Sequence, residues 1–412
     1  MTAATKTTAA PPSPRLAFLG VFGAGLLCLT ALGATMPVLP RYVTGPVGAG
    51  NVAVGITIGA FAVGAVAARP FAGRVADARG RRIVLVSGAV VMGLAGALLF
   101  LPMGVLGLVG ARLVVGLGEA LVFTAGATWV VDLAPPGRRA QSIGLFGLAV
   151  WTGLSLGTVA GEGLYALGGF GAVWAFAALA PLVGAAIAMR VPEPDRPVAP
   201  STERAALVPR VALRPGVALA LASAGYATMA SFVVLHLAES GAGGGAAVFT
   251  TFAAAVVGAR LLGGRLPDRL GARPCAIAAG IAEATGLALV AVAASPVLAI
   301  AGALFMGVGF SLLYPSLALL VVDGVEESRR GAALGTFTAF FDIGLGLGAP
   351  FAGAVAAVAG LPAAFVAAAL LSALGALVAR SGAAPAEGVS GTVAARSATL
   401  GPLFRRAPDS RS

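Results

Sequence analysis

FAVGAVAARPFAGRVADARGRR at residues 61–82 returns as FAAAVVGARLLGGRLPDRLGAR at residues 252–273, 191 positions later and without a gap. Phe61, Arg69, Gly73, Arg74, Asp77, Gly80 and Arg82 meet Phe252, Arg260, Gly264, Arg265, Asp268, Gly271 and Arg273. The same offset pairs Gly116 and Gly118 with Gly307 and Gly309, and Val-Val-Asp 130–132 with Val-Val-Asp 321–323. It also pairs Arg138 and Arg139 with Arg329 and Arg330, and Gly144 with Gly335. Stretches rich in Ala and Gly align by chance, but charged residues at one constant offset do not. The chain is a tandem duplication.

What is duplicated follows from hydropathy. The 412 residues are 58% hydrophobic and only 10% charged, with a mean hydropathy of +0.97. A soluble domain carries roughly 25% charged residues to face water, so this chain turns its surface to lipid. Apolar runs of spanning length fall at 16–38, 51–72, 83–101, 105–131, 141–164 and 168–189. The second set is 214–236, 246–264, 274–293, 297–321, 332–356 and 361–379. The expected fold is an all-α polytopic membrane protein, with twelve transmembrane helices as two six-helix parallel repeats. An even number of spans gives both halves the same orientation, about an axis along the membrane normal.

The expected organisation is a disordered tail at 1–14, one half at 15–189, a linker at 190–213, the other half at 214–380 and a second disordered tail at 381–412. The linker holds five prolines and several charges, a composition that breaks helices. Of the 27 Lys and Arg, 23 fall in the tails, the linker and alternate loops, Arg41 falls in a loop of the other set, and Arg69, Arg112 and Arg260 lie within spans. The positive-inside rule therefore puts both termini in the cytoplasm. It also accounts for the net charge of +11 without a nucleic-acid partner. Cys28 and Cys275 lie in separate apolar runs and read as small fillers rather than a disulfide.

The loop Gly73-Arg-Val-Ala-Asp77-Ala-Arg79-Gly80-Arg81-Arg82 resembles the signature loop of the major facilitator superfamily, G-x-x-x-D-R-x-G-R-R. The second copy keeps Gly264, Asp268, Arg269, Gly271 and Arg273, while the first has Ala78 where the family has a basic residue. Arg112-x-x-x-Gly116-x-Gly118-x-Ala120 is similar to a span-4 pattern that the superfamily associates with proton-coupled drug efflux. The antiporter pattern of span 5 is only partly kept, with Thr158 for its proline and Glu162 for its last glycine. Pro37-Val-Leu-Pro40-Arg41-Tyr42 and Arg69-Pro70-Phe71 look like the sugar- and drug-efflux permease branch.

The resemblance implies a secondary transporter that moves a small solute across a bacterial inner membrane by alternating access. It also implies that the signature loops latch the two halves on the cytoplasmic side, with Asp132 and Arg138, and Asp323 and Arg329, as similar pairs at the ends of spans 4 and 10. Spans 1, 4, 7 and 10 would line the cavity, and spans 2, 5, 8 and 11 would flank it.

A charge inside the bilayer costs ~2.5–3.5 kcal/mol on insertion scales, so such residues face a cavity and do work there. Arg112, Glu119, Asp342 and Glu162 are the candidates for proton coupling and cavity charge. Arg112 and Glu119 are seven apart and hence share a helix face, ~10 Å apart along the axis. Asp342 or Glu119 is expected to carry the coupling proton with Arg112 as charge partner; the alternative is a static ion pair that fixes helix packing. Trp151, Tyr226, Tyr314 and Phe337 are the candidates for contact with a partly apolar solute, or for simple packing.

Proton-coupled efflux by a monomer is expected, with uptake by symport as the alternative. No cofactor or metal is expected. An integral-membrane enzyme would need an acidic metal cluster or a nucleophile beside a histidine, and the sole histidine, His236, lies at the end of a span.

Overall fold

A backbone in hydrocarbon must satisfy its own N–H and C=O groups, and a chain this apolar does so by forming helices. The computed structural model describes residues 14–134, 139–193, 210–325 and 330–381. Most of the expected tails and of the linker, with Arg138 and Arg329, lie outside them.

In the first half α1 (Pro14–Thr35) and α2 (Leu39–Thr44) make the first span, followed by α3 (Asn51–Arg79), α4 (Arg81–Leu98), α5 (Gly104–Asp132) and α6 (Arg139–Met189). The second half runs α7 (Arg210–Glu239), α8 (Gly245–Gly263), α9 (Leu266–Leu270), α10 (Ala272–Ala291), α11 (Pro296–Asp323), α12 (Arg330–Ala359) and α13 (Leu361–Arg380). α6 holds two spans, because Gly168 (φ −150°, ψ 20°) and Gly169 (φ 62°, ψ −155°) break its helical path. With that break counted, the twelve expected spans are all present.

The second half departs from the first in one place. α3 runs unbroken into the signature loop, whereas its counterpart stops at Gly263 and restarts as α9. Pro267 stands where α3 has Ala76, and a proline both lacks the N–H and clashes with the preceding turn.

The duplication is visible in the packing as well as the sequence. A Cβ at Gly116 would lie 1.9 Å from the Phe61 carbonyl oxygen, and one at Gly307 would lie 2.7 Å from that of Phe252. Gly118 abuts the carbonyl of Gly88 and Gly309 that of Ala279. Each contact maps onto its partner by the same 191-residue shift. Lipid tails give apolar helices little reason to associate, so close approach through small residues holds the halves together internally.

Gly80 (φ 99°) and Gly271 (φ 92°) occupy equivalent turns, in a backbone region that a Cβ makes costly. These turns and the loops after α5 and α11 share one end of the bundle, called the basic end below. The two halves meet chiefly between α3 and α12, at the end opposite. A Cβ at Gly55 would fall 2.3 Å from the Ala349 carbonyl oxygen, and one at Gly59 would fall 2.6 Å from that of Gly346. A second junction joins α6 to α8, where the Ser155 hydroxyl donates to the Ala253 carbonyl at 3.1 Å.

Replacing Gly116 or Gly307 by Ala should therefore lower the apparent melting temperature of the detergent-solubilised protein, by overpacking of about 1–3 kcal/mol. Gly23, with nothing within 4 Å of a built Cβ, is the control: Gly23→Ala should leave the melting curve unchanged.

Candidate functional site

The α3–α12 seam fixes which side chains face each other across the halves. Ala62 and Arg69 lie seven apart on α3, and Asp342 and Ala349 seven apart on α12, so each pair shares one helix face. Gly346 packs against Ala62, and the next turns of the same faces bring Arg69 to Asp342. Its Nε lies 2.9 Å from Asp342 Oδ2, and its Nη2 donates to Oδ1 at 3.1 Å. The same Nη2 lies 3.6 Å from Glu119 Oε2 on α5. The guanidinium also sits over the Phe123 ring, 5.2 Å from its centroid.

Asp342 is only 2% exposed in its side chain, Glu119 7% and Arg69 23%. One cation thus holds a carboxylate from its own half and one from the other half, in a dry setting where charge pairing is strong and an unpaired charge costly.

This arrangement brings Glu119 and Asp342 to one cation, and that cation is Arg69 rather than the expected Arg112. Arg112 shares a helix face with Glu119 yet makes no salt bridge with either carboxylate among the described residues. It is buried at 3% exposure, lies over the Phe61 ring at 5.2 Å, and lines a cavity with Thr35, Met92 and Pro181. Glu162 is also set apart. It pairs with Arg41 at 3.0 Å, and Arg41 sits over Tyr165 at 5.3 Å, at the end opposite the basic loops.

Three of the four expected aromatic residues lie between helices of different spans. Trp151 on α6 meets Phe310 at 5.1 Å, Phe341 at 6.0 Å and Tyr226 at 6.2 Å between ring centroids. Tyr226 stacks on Phe310 at 5.0 Å. The Tyr314 hydroxyl shares a hydrogen bond with Thr338 at 2.9 Å. Phe337 is fully buried and packs on Tyr314 in the core of its half, and Tyr226 is buried as well.

At the basic end Arg81 is buried and its Nε lies 3.6 Å from Asp132 Oδ2. Its backbone N–H donates to the carboxylate of Glu193, which caps the N-terminus of α4 where unpaired N–H groups favour an anion. Asp132 thus pairs with Arg81, whereas Arg138, its expected partner, is among the undescribed residues. Arg79, Arg82, Asp268, Arg269, Gly271 and Asp323 are exposed, and Gly73, Gly80 and Arg273 are half-buried. The structure describes Asp77 by its backbone alone.

Sequence reasoning missed Arg69 and Glu193 as site residues. For Arg69 the signal was present: an arginine inside a span, written twice at the same place in the duplication. For Glu193, within the proline-rich linker, there was none. His236, at the end of its span, is buried, with a ring nitrogen 2.9 Å from the Val290 carbonyl oxygen.

Comparison with known proteins agrees with this architecture. The family model described as Major Facilitator Superfamily matches residues 21–245 and again 216–408. The chain is 34% identical over 358 residues to the uncharacterized MFS-type transporter YhhS of Escherichia coli (strain K12), covering 84% of this chain and 87% of that one. It is 32% identical over 383 residues to an uncharacterized MFS-type transporter of Burkholderia mallei (strain SAVP1), covering 88% and 93%. Among solved structures, the nucleoside transporter NupG superposes with a TM-score of 0.72 at 14% identity over 88% of this chain and 98% of its own. A D-xylose-proton symporter gives 0.72 at 17% identity over 89% and 96%. With two copies of the fold, their shared packing and relatives along most of its length, the chain belongs to the Major Facilitator Superfamily.

Proposed function

We propose that this secondary transporter couples solute movement to protons through Arg69, Glu119 and Asp342, and that it exports its solute from the cytoplasm across a bacterial inner membrane. The observation that carries the reading is the Arg69–Asp342 contact, a charged link between the two halves. Alternating access moves one half against the other, so this contact forms and parts once in each cycle.

When it parts, Asp342 is left in a dry setting without a cation, where a bound proton removes the cost of its charge. When the halves return, Arg69 competes with that proton and releases it. Glu119 keeps Arg69 paired in the interval, so the arginine is never left bare in hydrocarbon. Export rather than uptake is supported by the span-4 pattern Arg112-x-x-x-Gly116-x-Gly118-x-Ala120. The Arg81–Asp132 pair and Glu193 hold the signature turn in shape, consistent with a latch at the cytoplasmic end.

The reading is tested in an efflux-deficient bacterium expressing wild type or Asp342→Asn, challenged with a broad compound panel. Wild type should raise resistance to a subset of compounds, and Asp342→Asn at equal expression should abolish it. A mutant that keeps full gradient-driven transport would sink the coupling role, and protection from no compound would sink export.

The latch makes a separate forecast. Arg81→Gln should slow transport about ten-fold, equivalent to ~1.4 kcal/mol on the barrier, with solute affinity changed less than about two-fold. Equal losses of rate and affinity would count against it.

A further inference from the structure

The 191-residue offset that carries one half onto the other can be applied to the charge cluster itself. Arg69 maps to Arg260, Phe123 to Tyr314, Glu119 to Phe310 and Asp342 to Trp151. The frame of the site is reproduced. Phe123 packs on Phe146 at 6.1 Å, and their counterparts Tyr314 and Phe337 pack at 5.3 Å. Arg69 lies over Phe123 at 5.2 Å.

The chemistry is not reproduced. At the two positions equivalent to the carboxylates that meet Arg69, the offset places aromatic residues, Phe310 for Glu119 and Trp151 for Asp342. Those rings meet edge to face at 5.1 Å, and Tyr226 and Phe341 extend the cluster.

Arg260 is therefore an intramembrane guanidinium whose inherited carboxylate positions are apolar. Its polar contact is with the Ser311 hydroxyl, 3.4 Å from Nε, and that hydroxyl already donates to the Val256 carbonyl at 2.8 Å. No acidic side chain pairs with it among the described residues. A charge so placed within a span is expensive unless something completes it, and a planar fork of N–H donors is suited to an oxyanion. Organic cations are the competing class, since ring faces attract them. Glu119 and Asp342 are held by Arg69, and Arg260 has no acidic partner among the described residues, so the charge to be completed at Arg260 is positive.

We propose that Arg260 receives the anionic group of the solute while Trp151, Phe310 and Tyr226 take its apolar body, so that the transported class is organic anions with an aromatic or aliphatic body. This assignment of substrate class rests on the transporter reading above.

The test uses the full chain in lipid nanodiscs and three isosteric probes: 2-naphthoate, 2-naphthylmethanol and 2-naphthylmethylammonium, titrated by calorimetry. Naphthoate should bind at least ten-fold more tightly than the other two. Arg260→Gln should weaken naphthoate at least ten-fold and the alcohol less than two-fold, and Arg260→Lys should restore part of the preference. Trp151→Leu should weaken all three probes. Wild-type-like melting curves guard against misfolding, and the lysine variant keeps the test open if the glutamine variant unfolds.

Equal or tighter binding of the ammonium, a naphthoate preference that survives Arg260→Gln, or no saturable binding of any probe overturns the proposal. Failure of proton coupling is read separately. If naphthoate binds through Arg260 but Asp342→Asn retains gradient-driven transport of it, the coupling reading fails and the substrate class stands.

Discussion

Close backbone contact between helices is the constraint on which the rest of this structure depends. In hydrocarbon, apolar side chains gain little by leaving lipid for one another, and association comes from packing and from the few polar contacts available. Gly116 beneath Phe61, with Gly307 beneath Phe252, sets α5 on α3 and α11 on α8. Gly55 and Gly59 set α3 on α12. Once those faces are chosen, the side chains one or two turns further along them have no freedom about whom to meet. The meeting of Arg69 and Asp342 follows from that choice of faces.

The same constraint explains how much could be read from the sequence. Span number, their division into halves and the duplication depend on hydropathy and on a constant offset, and these survive without knowledge of helix rotation. The break before α9 required only Pro267 in place of Ala76, a local signal that an aligned repeat makes plain. The identity of the cation between Glu119 and Asp342 was a different kind of question. Spacing along one helix favoured Arg112, because seven residues return to the same face. The true partner sits on another helix, and its rotation is set by glycines that carry no chemistry of their own. Glu162 misled for the same reason: its charge stood out, but its partner Arg41 lies 121 residues away.

Duplication followed by divergence gives this protein two positions of one geometry and opposite character. The positions that meet Arg69 are acidic, and their equivalents at the 191-residue offset are aromatic. A strictly symmetric pair would offer a solute the same surroundings on both sides of the axis. Here the equivalent positions differ in chemistry, and Tyr314 replaces Phe123 with a ring that carries a hydroxyl. Buried polar groups are tolerable in such a position only when each has a partner, and Thr338 supplies one for Tyr314.

The seam between α3 and α12 is walled by backbone and by methyl groups at Gly55, Gly59, Ala62, Gly346 and Ala349. Walls of that kind have no long side chains that can swing in behind them as they part. The space created on parting is filled by solvent or lipid chains, or the seam stays shut. Intermediate widths leave a void and are disfavoured, so motion at this end approaches a two-position switch whose states differ in internal volume. An equilibrium of that sort responds to hydrostatic pressure, which favours the arrangement with least void, and to the lateral packing of the lipids around it.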